Sequence, residues 1–138
     1  MTDMSGFRVL VVEDEALIAM ALEDILLDLG CTVIGPASTV EAALQLAEEA
    51  DLDGALLDVN VRGTLIYPVA ERLTERGVPV VLCSGYALTS AIPSPYSELP
   101  QIAKPYNPAI VRSTIQSTFA RRPAPKEQRP DACSLKLG

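Results

Sequence analysis

Apolar runs and helical stripes alternate along this chain. Phe7 to Val12 (FRVLVV) is a continuous β-branched run broken by one Arg, the pattern of a central strand covered on both faces. It ends at Glu13-Asp14-Glu15. From there Ile18, Ala21, Leu22, Ile25 and Leu29 recur at helical spacing, with Glu23, Asp24 and Asp28 opposite. Asp14 is placed to cap this first helix, and Gly30 stops it as a glycine just past a helix end does.

The alternation continues. Cys31 to Ile34 reads as a short second strand, Gly35-Pro36 as a turn, and Ser38-Thr39-Val40-Glu41 as a capping box opening a helix with Val40, Ala43, Leu44 and Ala47 on one face. Gly54 to Leu57 gives a third strand ending at Asp58. Val59 to Thr64 is a loop, and Leu65, Val69 and Leu73 stripe a third helix that Pro68 can enter only in its first turn and Gly77 ends. Val78 to Cys83 is a fourth strand, with Pro79 at its beginning where a missing N–H is tolerable, and Leu99 to Ala103 a short fifth. Asn107-Pro108 caps a last helix whose Val111, Ile115 and Phe119 face the core. Such an order predicts an α/β fold: a flavodoxin-like, doubly wound, five-stranded parallel sheet in the order 2-1-3-4-5. Pro93, Pro95 and Pro100 make the helix between strands four and five short or irregular.

Composition narrows the chemistry. A chain of 138 residues, 49% hydrophobic, suffices for one cored domain but not two. We assign residues 1–120 to that domain and residues 121–138, rich in Pro and Arg, to a disordered tail. No apolar run approaches the roughly 18 residues a membrane span needs, and the N-terminus lacks a signal-peptide pattern, so the expected location is cytoplasmic, away from membranes. Cys31, Cys83 and Cys133 are too far apart to suggest a disulfide or zinc framework. The chain has no histidine, which excludes His-based triads, His metal sites and a phosphohistidine carrier. The net charge of −7 is unevenly placed: residues 1–120 hold 6 basic and 16 acidic residues and residues 121–138 hold 5 basic and 2 acidic, and an acidic body disfavours nucleic acid as a partner.

Ligands of open parallel sheets bind beyond the carboxyl ends of the strands. Those ends carry Glu13-Asp14, Asp58, Ser84 and Lys104. Singly, each has a bland explanation as a cap, turn or solvated charge. Together, clustered carboxylates call for a proton or a divalent cation, and hard oxygen ligands favour Mg²⁺ over zinc. An ion, an ammonium and a hydroxyl around one carboxylate suit a transferring phosphoryl group.

Residues 7 to about 120 resemble the CheY-like receiver domain of response regulators in two-component signalling. The resemblance rests on VLVVEDE, LLDVN, LCSGY and AKP. More narrowly, LLDVNVRG, YPVAERLTERGVP, VVLCSGY and IAKPY resemble single-domain alphaproteobacterial receivers with a Phe-Ala-Thr-Gly-aromatic motif, which here reads Leu82-Cys83-Ser84-Gly85-Tyr86. The resemblance implies phosphorylation of Asp58 by a histidine kinase or phosphotransfer protein, and Mg²⁺ held by Asp14, Asp58 and the backbone carbonyl of Asn60, with Glu13 acting through water. It implies Lys104 and Ser84 on the phosphoryl oxygens and a cis Lys104-Pro105 bond. Gln101 stands where most receivers have a switch aromatic, which the narrower family also lacks. Activation is therefore expected to reshape Tyr86 to Pro100, and homodimerisation through the usual face is left open.

Two other functions compete. A haloacid-dehalogenase-like phosphatase would need a second aspartate two residues after its nucleophile, where Asn60 stands. A phosphorylation-independent binding module could keep the same fold. The expected output is contact with an unknown downstream protein, or action as a phosphate sink, without enzymatic turnover of another substrate.

Overall fold

The computed structural model describes residues 4–85, 92–104 and 106–119. Five strands form one parallel sheet: β1 (Arg8–Val12), β2 (Thr32–Ala37), β3 (Gly54–Asp58), β6 (Val80–Ser84) and β7 (Gln101–Ala103). Its order is β2-β1-β3-β6-β7, and since β4 (Asn60–Val61) and β5 (Thr64–Leu65) form a separate antiparallel hairpin, this is the expected 2-1-3-4-5 arrangement. The helices are α1 (Ala16–Asp28), α2 (Val40–Glu49), α3 (Tyr67–Glu75) and α4 (Pro108–Phe119).

Alternation along the central strands divides the core. Leu10, Val12, Ala55, Leu57, Val80 and Leu82 pack on one side with α2 and α3, while Val9, Val11, Leu56, Val81 and Cys83 pack on the other with α1 and α4. Every residue of β3 and β6 is buried, as both faces are covered.

Several local expectations are corrected. Asp14 does not cap α1: Glu15 occupies the cap position without a side-chain hydrogen bond. The core face of α1 is Ala19, Leu22, Ile25 and Leu26, and Ala21 is exposed. Gly35-Pro36 is no turn but lies within β2, where the register against β1 shifts between Leu10 and Val12. The cap of α2 is Thr39 rather than Ser38, its hydroxyl accepting from the Ala42 amide at 3.1 Å. Leu65 sits in β5, 48% exposed, and the buried Ile66 takes the core position before α3. Strands four and five begin later than the apolar runs, at Val80 and Gln101.

Other expectations hold. Gly30, at φ +90°, follows α1; Pro68 lies in the first turn of α3; and Asn107 Oδ1 accepts from the amides of Ala109 and Ile110 at 2.9 and 3.3 Å. Among the described residues between β6 and β7, a 3-10 turn (Tyr96–Glu98) is the one helical element. The stacked rings of Tyr67 and Tyr96, 4.7 Å apart, join that turn to α3. Residues 86–91, the Lys104-Pro105 bond and the tail lie outside the described residues, and with them the expectations placed there.

Candidate functional site

Parallel strands deliver their C-terminal residues to one edge of the sheet, and the candidate residues meet there. Glu13 and Asp14 follow β1, Asp58 ends β3, Ser84 ends β6 and Lys104 follows β7. Backbone bonds lock the strand ends together: Val59 donates to the Cys83 carbonyl and Lys104 to the Ser84 carbonyl, both at 2.9 Å. One carboxylate oxygen from each of Glu13, Asp14 and Asp58 lies within 4.8 Å of the others.

Lys104 pairs with two members of this cluster. Its Nζ sits 3.0 Å from Asp58 Oδ2 and 3.2 Å from Glu13 Oε1, and its side chain is only 18% exposed. Burial alone would favour its neutral form, but the two carboxylates outweigh that and raise its pKa. Glu13 is pushed up to about 7, first by burial and next by the charge of Asp58, against the opposing pull of the Glu15 amide and Lys104. For Asp14 burial is the largest single influence and acts upward, but the Arg62 amide, Asp14's own amide, Glu13 and the charge of Lys104 together outweigh it and lower the pKa. One ammonium among three carboxylates leaves an excess of negative charge on hard oxygen donors. That donor set fits a divalent cation such as Mg²⁺.

Ser84 is fully buried, and its hydroxyl has no hydrogen-bond partner among the described residues. A buried hydroxyl without a partner is costly, and so marks a place where an incoming oxygen would be bonded. Asn60 is exposed; its amide donates to Asp58 Oδ1 at 3.3 Å, and its own Oδ1 accepts from Gly63 at 2.8 Å. Gln101, in the place of the usual aromatic, donates through Nε2 to the Ser97 carbonyl at 3.1 Å and so fastens β7 to the 3-10 turn.

Two participants escaped sequence reasoning. Tyr106 follows the Lys-Pro pair and sets its hydroxyl beside the Cys83 thiol; burial first, then Cys83, keeps its pKa well above the usual value. Arg62 donates its backbone amide to Asp14 Oδ2 at 3.0 Å and its Nε to the Ser38 carbonyl at 3.0 Å. An Arg-Gly pair inside a short polar loop is a weak hairpin signal, and contacts across 48 and 24 residues leave no local trace.

Comparison with known proteins agrees with this geometry. Residues 9–98 match the model of the response regulator receiver domain. The chain is 34% identical over 132 residues to the phyllosphere-induced regulator PhyR of Methylorubrum extorquens, a match covering 91% of this chain and 48% of PhyR. The chain thus spans about half the length of that curated relative. The solution structure of SdrG from Sphingomonas melonis Fr1 superposes with a TM-score of 0.73 at 37% identity, covering 85% of this chain and 98% of SdrG. The BeF3-activated conformation of SdrG from Pseudomonas melonis Fr1 gives 0.67 at 37% identity, covering 80% and 97%. With the family model spanning most of the folded core and the acidic cluster standing at the expected sheet edge, the chain belongs to the response regulator receiver domain family.

Proposed function

We propose that this chain accepts a phosphoryl group on Asp58 from a histidine kinase or phosphotransfer protein, in a Mg²⁺-dependent reaction, and signals through contact with a downstream protein. The carrying observation is the convergence of Glu13, Asp14 and Asp58 within 4.8 Å, with Lys104 Nζ 3.0 Å from Asp58 Oδ2. A bound Mg²⁺ would supply charge neutralisation for the phosphoryl oxygens. Asp14, Asp58 and the backbone carbonyl of Asn60 would hold it, with Glu13 acting through water.

Asp58 provides the nucleophilic oxygen. As its bond to phosphorus forms, the nitrogen–phosphorus bond of the donor breaks, and the imidazole leaves with the electron pair and takes up a proton. Lys104 is placed to follow the phosphoryl oxygens, since it already pairs with Asp58. Ser84 brings a hydroxyl that no other group among the described residues engages. That a BeF3-activated conformation exists for SdrG supports the reading, because BeF3 carried on an oxygen has the tetrahedral shape of a phosphoryl group. The proposed role is regulation in the cytoplasm. No helix among the described residues is long and apolar enough to cross a membrane.

The test is incubation with acetyl phosphate and Mg²⁺, followed by intact mass spectrometry beside Asp58→Ala. A single phosphoryl adduct that needs both Mg²⁺ and Asp58 is expected. No adduct, either with the small donor or with phosphorylated kinases, would overturn the proposal in favour of a phosphorylation-independent binding module.

A further inference from the structure

The hairpin β4-β5 turns through two residues only, Arg62 and Gly63, because Val61 pairs with Thr64. Both have positive φ, +53° and +83°, the signature of a type I′ turn. Asn, Asp or Gly take the first position of such a turn at little steric cost, whereas arginine does not. Arg62 is the one non-glycine residue with positive φ among the described residues. What this unfavoured choice provides is a pair of distant contacts. The guanidinium reaches the Ser38 carbonyl, which precedes α2, and the left-handed backbone points its N–H at Asp14. The turn is held from below as well, by the buried Val61 and by Asn60 Oδ1 on the Gly63 amide.

We infer that Arg62 is a positioning residue for the cation site: its side chain moors the hairpin to the loop before α2, so that its amide holds one oxygen of Asp14 and leaves the other for Mg²⁺. This rests on the proposed Mg²⁺ site. A carboxylate has about four lone-pair positions, so one amide and one cation can share it. Partners that orient a ligand without touching the metal commonly matter to its affinity.

Arg62→Asn separates this role from a purely structural one, because Asn suits the turn but cannot reach Ser38. Its unfolding midpoint in EDTA is expected to equal or exceed the wild type's. Its Mg²⁺ dissociation constant, from calorimetric titration of the full chain, is expected to rise roughly three- to tenfold, the effect of one modest hydrogen bond. Arg62→Lys, which keeps both reach and charge, should recover at least half of that loss on a logarithmic scale. Wild-type or tighter binding by Arg62→Asn would overturn the inference, tighter binding showing that Arg62 acts only as a repelling charge. So would a Lys variant no better than the Asn variant. Asp14→Asn and Asp58→Asn serve as references. If they bind Mg²⁺ like the wild type, the metal site itself is wrong; if they lose binding while Arg62→Asn keeps it, only the positioning role fails.

Discussion

The ring of Phe119 occupies the space that a side chain on Gly54 would need. A Cβ on Gly54 would lie 2.7 Å from two ring atoms of Phe119, closer than carbon atoms pack. Phe119 is fully buried at the end of α4, so a Cβ here would have to displace a packed ring, and glycine is favoured by close approach rather than by an unusual backbone angle. The last helix is thereby seated against the first residue of β3, at the opposite end of the strand from Asp58. Gly54→Ala is expected to lower stability by about 1–3 kcal/mol, the usual cost of overpacking a core. Urea denaturation should show the loss, while phosphorylation of the folded fraction stays at the wild-type rate.

Ser84 gives a prediction of opposite sign for stability. Its buried hydroxyl lacks a partner among the described residues, so removing it deletes a polar group that none of them compensates. Ser84→Ala without phosphodonor is expected to be between neutral and about 1 kcal/mol more stable than the wild type. Binding of BeF3, followed by amide NMR titration with Mg²⁺ present, should weaken by roughly tenfold or more, as for a hydrogen bond to a charged group. Equal BeF3 affinity in the two proteins would remove Ser84 from the proposed site.

These contrasts show what the sequence made legible. The continuous runs of β1, β3 and β6 are readable because a strand covered on both faces must be apolar throughout, and each run ends at, or for β1 just before, the residue delivered to the site. The identities of Asp58 and Ser84 as strand ends therefore came with the strands. Edge strand β2 was harder: it is largely exposed, so Gly35-Pro36 looked like a turn although pairing with β1 continues past it. Asp14 resembled a helix cap because an acid before a helix usually is one, but its oxygen is taken by an amide from another part of the chain. Arg62 and Tyr106 were invisible for the same reason. Their roles depend on approach in space, which neither periodicity nor motif spacing records.

Lys104 is the counter-ion for two carboxylates at once, being 3.0 Å from Asp58 and 3.2 Å from Glu13. In Lys104→Met those carboxylates face each other and Asp14 without a cation. We expect a loss of about 1–3 kcal/mol at pH 8 in EDTA, below the 3–5 kcal/mol of a fully buried broken pair because the site is partly open to water. Mg²⁺ should compensate: its binding stabilises only the folded state, and it meets less positive charge in the variant. Thermal melts in EDTA and in excess Mg²⁺ check this. The increase in Tm on adding Mg²⁺ should be larger for Lys104→Met than for the wild type, and an equal increase would argue that the ion sits away from Lys104.

The buried thiols predict how stability depends on alkaline pH. Burial pushes Cys31 up to about 11 and Cys83 up to about 12, from an ordinary value of 9.0. Since the folded state resists ionisation and the unfolded state does not, the stabilising difference is complete below pH 9 and is lost as pH rises toward 11 and 12. Unfolding free energy should therefore fall steadily above about pH 9, with a shallower slope in Cys83→Ala, whose remaining buried thiol among the described residues is Cys31. The same burial blocks the thiolate chemistry that alkylation requires. Iodoacetamide at pH 8 should leave Cys31 and Cys83 unmodified in the folded protein and label them in urea, as peptide mass spectrometry would read out. Rapid labelling of Cys83 in the native protein would mean that β6 opens readily next to Asp58, with which Cys83 pairs across the sheet.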